Sequence, residues 1–239
     1  MDSETKWRNA MISVKNIRKS YKDNVVLKNV SMEVDEGDFV AIVGKNGSGK
    51  STLVEIICKM READSGTIEY GFDEKDIYRN MGIQFQNADF DVRMKVKTLL
   101  KLWKEIYNIE KKKYDDLVEL LNLSKVMDRK IANISGGEKQ RMNIFLALIN
   151  DPKVIILDEL TTGLDALTRL EIRQYLKEIN RNQKKTIIMV SHYMDEVDEL
   201  CNKVYFLKDG VISEAGKIIE LKNKYNVEHM DGILEKVLA

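Results

Sequence analysis

The sequence predicts an α/β fold built on a largely parallel sheet. Three observations predict it: short apolar runs at residues 39–43, 154–157 and 186–190, helical periodicity between the later runs, and a glycine-rich turn directly after the first. Runs of five or so apolar residues suit strands buried on both faces, and strands alternating with helices imply parallel neighbours. The 239 residues fit one large domain, and 44% hydrophobic residues can fill a sizeable core.

Residues 11–15 and 30–34 are strand-like, and residues 35–38 before the 39–43 strand read as a hairpin turn. A helix is expected over 50–60, then strands near 67–70 and 82–85. Residues 96–109 and 114–123 carry apolar positions three and four apart, with Leu99, Leu102, Trp103 and Ile106 forming one stripe packed inside a helical subdomain. From Ser135 onward the order is helix 138–149, strand 154–157, helix 167–179, strand 186–190, and a short amphipathic tail at 231–238.

Lys plus Arg and Asp plus Glu both number 39, so net charge is zero, which argues against bulk attraction to nucleic acid. Cys58 and Cys201 stand far apart and read as small buried hydrophobes in a reducing compartment. No apolar run reaches the roughly 18 residues needed to span a bilayer, and residues 1–9 do not resemble a secretory signal. The expectation is a cytoplasmic protein, with any membrane role exercised through a partner.

Gly44-Lys45-Asn46-Gly47-Ser48-Gly49-Lys50-Ser51, followed by Thr52, fits the phosphate-cradle pattern, with a strand entering and a helix leaving. Glycines let backbone N–H groups turn onto phosphates, and the helix N-terminus adds its dipole. Lys50 is placed for the β/γ-phosphates and the Ser51 hydroxyl for Mg²⁺, which marks a P-loop nucleoside-triphosphatase core. The strand at 154–157 runs into Asp158 and Glu159, at the end of a strand where such sheets collect their chemistry. Asp158 is assigned to Mg²⁺ and Glu159 to the proton of an attacking water. A nucleotide kinase shares the cradle but transfers to a substrate group.

Ser135-Gly136-Gly137-Glu138, opening a helix, is a second anion site in which hydroxyl, amides and dipole converge; alone, such a triplet is simply a helix cap. Lying ahead of the Asp-Glu strand, it resembles the signature of the ATP-binding-cassette family. The resemblance covers roughly residues 11–225. It implies a mixed sheet, an N-terminal antiparallel β subdomain and an inserted α-helical subdomain. The core would be residues 1–86 and 150–225, the helical part 87–149 and the tail 226–239.

The resemblance also implies roles. Tyr21 would stack on adenine. Gln86, with Gln84 as a nearby rival, would sense Mg²⁺ and water. Thr162-Gly163-Leu164-Asp165 would meet a second subunit, and His192 would switch on the γ-phosphate. Lys50, Glu159 and His192 would be catalytic. The cofactors would be ATP and Mg²⁺, bound between two head-to-tail copies, as a homodimer. A separate transmembrane permease would hold the protein at the inner face of the cell membrane.

Residues 191–201 resemble the branch that exports drugs, peptides, lipids or polysaccharides. The alternative is a soluble mechanical ATPase of the same superfamily, acting on ribosomes or DNA. Two departures stand out: Glu138 where glutamine is usual, and Leu160 where proline usually follows the base, which weakens the stiffness expected of that loop.

Overall fold

A computed structural model describes residues 10–84, 90–158, 160 and 163–238. Gln86, Glu159 and Thr162 therefore lie outside the described residues, as does Phe85 at the end of the expected 82–85 strand.

Two sheets stack. The smaller is antiparallel, in the order β2 (Asn24–Asp35), β1 (Ala10–Tyr21), β4 (Ser65–Tyr70). The larger has six strands, β5 (Met81–Gln84), β6 (Val154–Asp158), β7 (Thr186–Val190), β3 (Phe39–Val43), β8 (Lys203–Lys208) and β9 (Val211–Lys217). All its neighbours are parallel except the β8–β9 pair. Between strands run α1 (Lys50–Ile57), α2 (Ile77–Asn80), α3 (Val96–Ile106), α4 (Lys111–Leu120), α5 (Gly136–Leu148), α6 (Ala166–Gln183) and α7 (Met194–Leu200), with α8 (Ile218–Tyr225) and α9 (Met230–Leu238) closing the chain.

The apolar runs are explained by this layering. In β3, Phe39, Ala41 and Val43 join the core under the helices, whereas Val40 and Ile42 join the core under the antiparallel sheet. β6 and β7 divide in the same way, because successive side chains leave opposite faces and both faces are covered. The mixed sheet and antiparallel N-terminal layer agree with expectation.

Residues 35–38 form a turn, with the Asp38 N–H bonded to the Asp35 carbonyl at 3.1 Å, but not a hairpin. β2 pairs with β1 and β3 with β7 and β8, so the turn hands the chain from one sheet to the other. The stripe on α3 is also corrected. Leu99 is buried, but Leu102 and Ile106 are 43% and 57% exposed, and the buried neighbour is Leu100. The packed face is thus rotated from the one expected. α1 stops at Ile57, where Lys59 turns left-handed and the Met60 N–H closes on the Glu55 carbonyl. Cys58 is buried, while Cys201 is only half-buried against Met189.

β5 and α5 approach closely enough to exclude any side chain at Gly82. A Cβ there would lie 1.7 Å from the Ala147 carbonyl oxygen and 2.7 Å from Pro152. Gly82→Ala must push α5 off the sheet, and the expected loss is about 3 kcal/mol or more, read as a lower denaturant midpoint. A midpoint equal to that of the wild type would contradict this packing.

Candidate nucleotide site

The site sits at the carboxyl ends of the central strands, where β3 leads into the cradle and β6 and β7 end beside it. A cleft of about 530 Å³ is lined by Asn46, Gly47, Gly49, Lys50, Ser51, Thr52, Asp158, Val190 and His192, with Asn24 and Val26 from the antiparallel layer. Residues far apart in sequence thus line one cleft. The cradle's shape follows from its glycines. Gly47 and Gly49 adopt φ of 80° and 104°, the left-handed region that side chains disfavour. Gly44 is fixed by space instead, since a Cβ would stand 2.2 Å from the Leu207 carbonyl.

Lys50 opens α1 and is 6% exposed. Its Nζ donates to the carbonyls of Gly44 and Lys45 at 2.7 and 3.0 Å, which holds the ammonium over the loop. Asp158 is buried at the end of β6. The side chain of Ser48 is buried too, and its hydroxyl has no partner among the described residues.

The remaining expectations divide. Tyr21 is 38% exposed, does not line the cleft, and has the Arg61 guanidinium 5.2 Å from its ring centre. Its ladder partner Asn24 and the nearby Val26 line the cleft instead; sequence reasoning missed both because nothing marks them before the hairpin is folded. Gln84, the rival of Gln86, is 1% exposed and its amide has no partner among the described residues.

Ser135, Gly136 and Gly137 do not line this cleft. They open α5 with a reciprocal cap: the Glu138 N–H donates to the Ser135 hydroxyl at 3.2 Å, and the Ser135 N–H donates to the Glu138 carboxylate at 2.7 Å. Glutamate performs this cap as well as glutamine does, which accounts for the first departure. The Ser135 N–H bond is the main cause that holds the Glu138 carboxyl below its ordinary value, so the cap is intact at neutral pH and is lost only as acid protonates it.

Asp165 has an intramolecular duty. It caps α6 by accepting from the Thr168 N–H and hydroxyl at 2.9 and 2.7 Å, and Arg141 of α5 reaches it at 3.1 Å. The second departure, Leu160, is 1% exposed, and its carbonyl accepts from the Gln140 side chain at 2.9 Å. Burial and this bond hold Leu160 itself. Beside the cradle a second, apolar cavity of about 460 Å³ lies between Val43, His192, Met194 and the α9 residues Leu234 and Leu238. The tail is thus a wall next to the site.

The profile of the ABC transporter family matches residues 27–162. The chain belongs to the ABC transporter family. It is similar to the methionine import ATP-binding protein MetN of Helicobacter hepaticus, with 35% identity over 225 residues, 88% of this chain. It is similar also to the maltose/maltodextrin import ATP-binding protein MalK of Vibrio cholerae, with 34% identity over 220 residues, 89% of this chain. The chain spans 64% and 59% of those relatives' own lengths. Among solved structures, a dimeric ATP-binding cassette in a post-hydrolysis state bound to ADP and Pi superimposes with a TM-score of 0.78 at 28% identity, over 87% of this chain and 99% of that one. The chain thus carries a cassette of the ABC type. The expectation of export finds no support in these relatives, both of which are named for import.

Proposed function

We propose that this chain hydrolyses ATP to drive substrate across a membrane through a separate permease, working as a head-to-tail pair of copies. The observation that carries the proposal is the single cleft holding Lys50, Ser51, Asp158 and His192. No helix among the described residues is long and apolar enough to cross a membrane. Transport direction is assigned to that permease, and export is not part of the proposal.

In this reading the cradle amides and Lys50 neutralise charge on the phosphates, and His192 holds the γ-phosphate. Glu159 takes a proton from the attacking water, and Gln86 reports on the same site. The Ser51 hydroxyl and the Asp158 carboxylate, both lining the cleft, are the hard oxygen donors that Mg²⁺ prefers. They would hold the ion, which when bound supplies further charge neutralisation at the phosphates. Ser135, Gly136 and Gly137 stand outside the chain's own cleft, which supports their use on the ATP of a second copy. Tyr21 would reach adenine at the cleft's edge. Residues 87–149 are taken as the part that meets the permease, with Leu102 and Ile106 of α3 exposed for that contact. The protein would then lie at the inner membrane face without entering the bilayer.

The test is co-expression with candidate membrane proteins taken from the neighbouring reading frames. The chain and one of these are expected to purify together, and ATP turnover in the complex is expected to rise when transported substrate is added. An ATPase that neither joins a membrane partner nor responds to one would point to the soluble mechanical alternative.

A further inference from the structure

His192 lies in the short turn Ser191–His192–Tyr193 between β7 and α7. The residues on either side of it are held by one oxygen atom. The Ser191 hydroxyl donates to the Glu196 carboxylate at 3.1 Å, and the Tyr193 N–H donates to that same hydroxyl oxygen at 3.0 Å. Ser191 and Glu196 are 2% and 1% exposed. From α6, the Arg173 guanidinium donates to the other Glu196 oxygen at 2.8 Å, and it also reaches Asp195 at 3.1 Å and Glu199 at 3.0 Å.

A buried carboxylate is costly to desolvate, and a well-packed apolar pair in its place is often no less stable. Stability alone therefore gives little reason to bury this one. What the ion pair does supply is direction: it fixes the carboxylate, the carboxylate fixes the hydroxyl, and the hydroxyl fixes the turn.

We propose that Arg173, Glu196 and Ser191 form a buried relay that orients His192 toward the γ-phosphate, which makes Glu196 and Ser191 positioning residues for hydrolysis. This rests on the reading of the cleft as an ATP-hydrolysing site. It adds that α6 and α7 are mechanically joined to the γ-phosphate through three side chains that do not themselves touch nucleotide.

The experiment compares the full chain with Ser191→Ala, Ser191→Thr and Glu196→Gln, each alone and in a His192→Ala background. ATP turnover, affinity for a fluorescent ADP analogue and thermal midpoint are read together. Ser191→Ala and Glu196→Gln are expected to lower turnover about tenfold, as misplacement of a reacting group does. ADP affinity is expected to stay within about twofold, because ADP lacks the phosphate that His192 faces. Ser191→Thr keeps the hydroxyl and is expected to restore most of the rate.

In the His192→Ala background neither substitution is expected to lower turnover further, the non-additivity of residues acting through one another. Wild-type turnover in well-folded single variants overturns the proposal, as does a loss that adds in full to that of His192→Ala. If Glu196→Gln does not fold, the Ser191 pair decides alone. An inactive wild-type chain sinks instead the underlying ATPase reading.

Discussion

Lys50→Ala is expected to lower ATP turnover on the order of 10² to 10³-fold, the scale set by losing one preorganised charge donor from a transition state. Lys50 is the cation the fold places over the cradle. It is 6% exposed and is held there by the carbonyls of Gly44 and Lys45. Those bonds set its position in advance, so phosphate oxygens can replace or join the carbonyls without a long side chain being ordered at the moment of binding. ATP affinity is expected to fall with turnover, because the ammonium faces the phosphates of ground state and transition state alike.

Phosphate release under saturating ATP and titration with a fluorescent ATP analogue measure the two losses, with a thermal scan to show that α1 is still formed. Lys50→Arg tests shape against charge. Its planar fork cannot sit between two carbonyls as a point charge does, so it too is expected to be impaired. Turnover within tenfold of the wild type in Lys50→Ala would remove Lys50 from the site.

Much of the architecture was readable from the chain because the physics was local. Phe39–Val43, Val154–Leu157 and Ile187–Val190 are unbroken apolar runs since both faces of the sheet are covered, and the strands' ends fell within a residue of expectation. What was not readable depended on tertiary partners. The turn at 35–38 has the composition of a hairpin, but pairing is decided by which sheet each strand joins. α4 begins at Lys111 because three lysines can start a helix without leaving any apolar period to see.

Of the site, Gly44–Ser51 and the β6 carboxylate were legible because phosphate chemistry demands those residue types at that spacing. Asn24 and Val26 were not, since they enter the cleft only through β2. Ser191 and Glu196 were hidden for a different reason. A serine ahead of a helix and a glutamate in its first turn look like ordinary polar residues until burial and Arg173 give them a direction.

Glu159→Gln is expected to separate two quantities that Lys50→Ala lowers together. The amide keeps the size of the carboxyl group but accepts no proton from water, so turnover is expected to fall on the order of 10²-fold or more while ATP still binds. Asp158 is buried at the end of β6 in the cleft, and Leu160 is buried with its carbonyl held by Gln140 of α5.

That Gln140 bond ties the residue after the base to the helix opened by Ser135, Gly136 and Gly137, the element proposed to face the ATP of a second copy. If hydrolysis is what releases the paired copies, a variant that binds ATP without cleaving it should accumulate as a dimer. Size-exclusion chromatography with light scattering is expected to show the Glu159→Gln chain shifting from monomer to dimer on ATP and Mg²⁺, and not on ADP, while Lys50→Ala stays monomeric with either nucleotide. Unchanged turnover would remove Glu159 as the base. Lost turnover with no ATP-dependent dimer would keep the base and break the link from hydrolysis to separation.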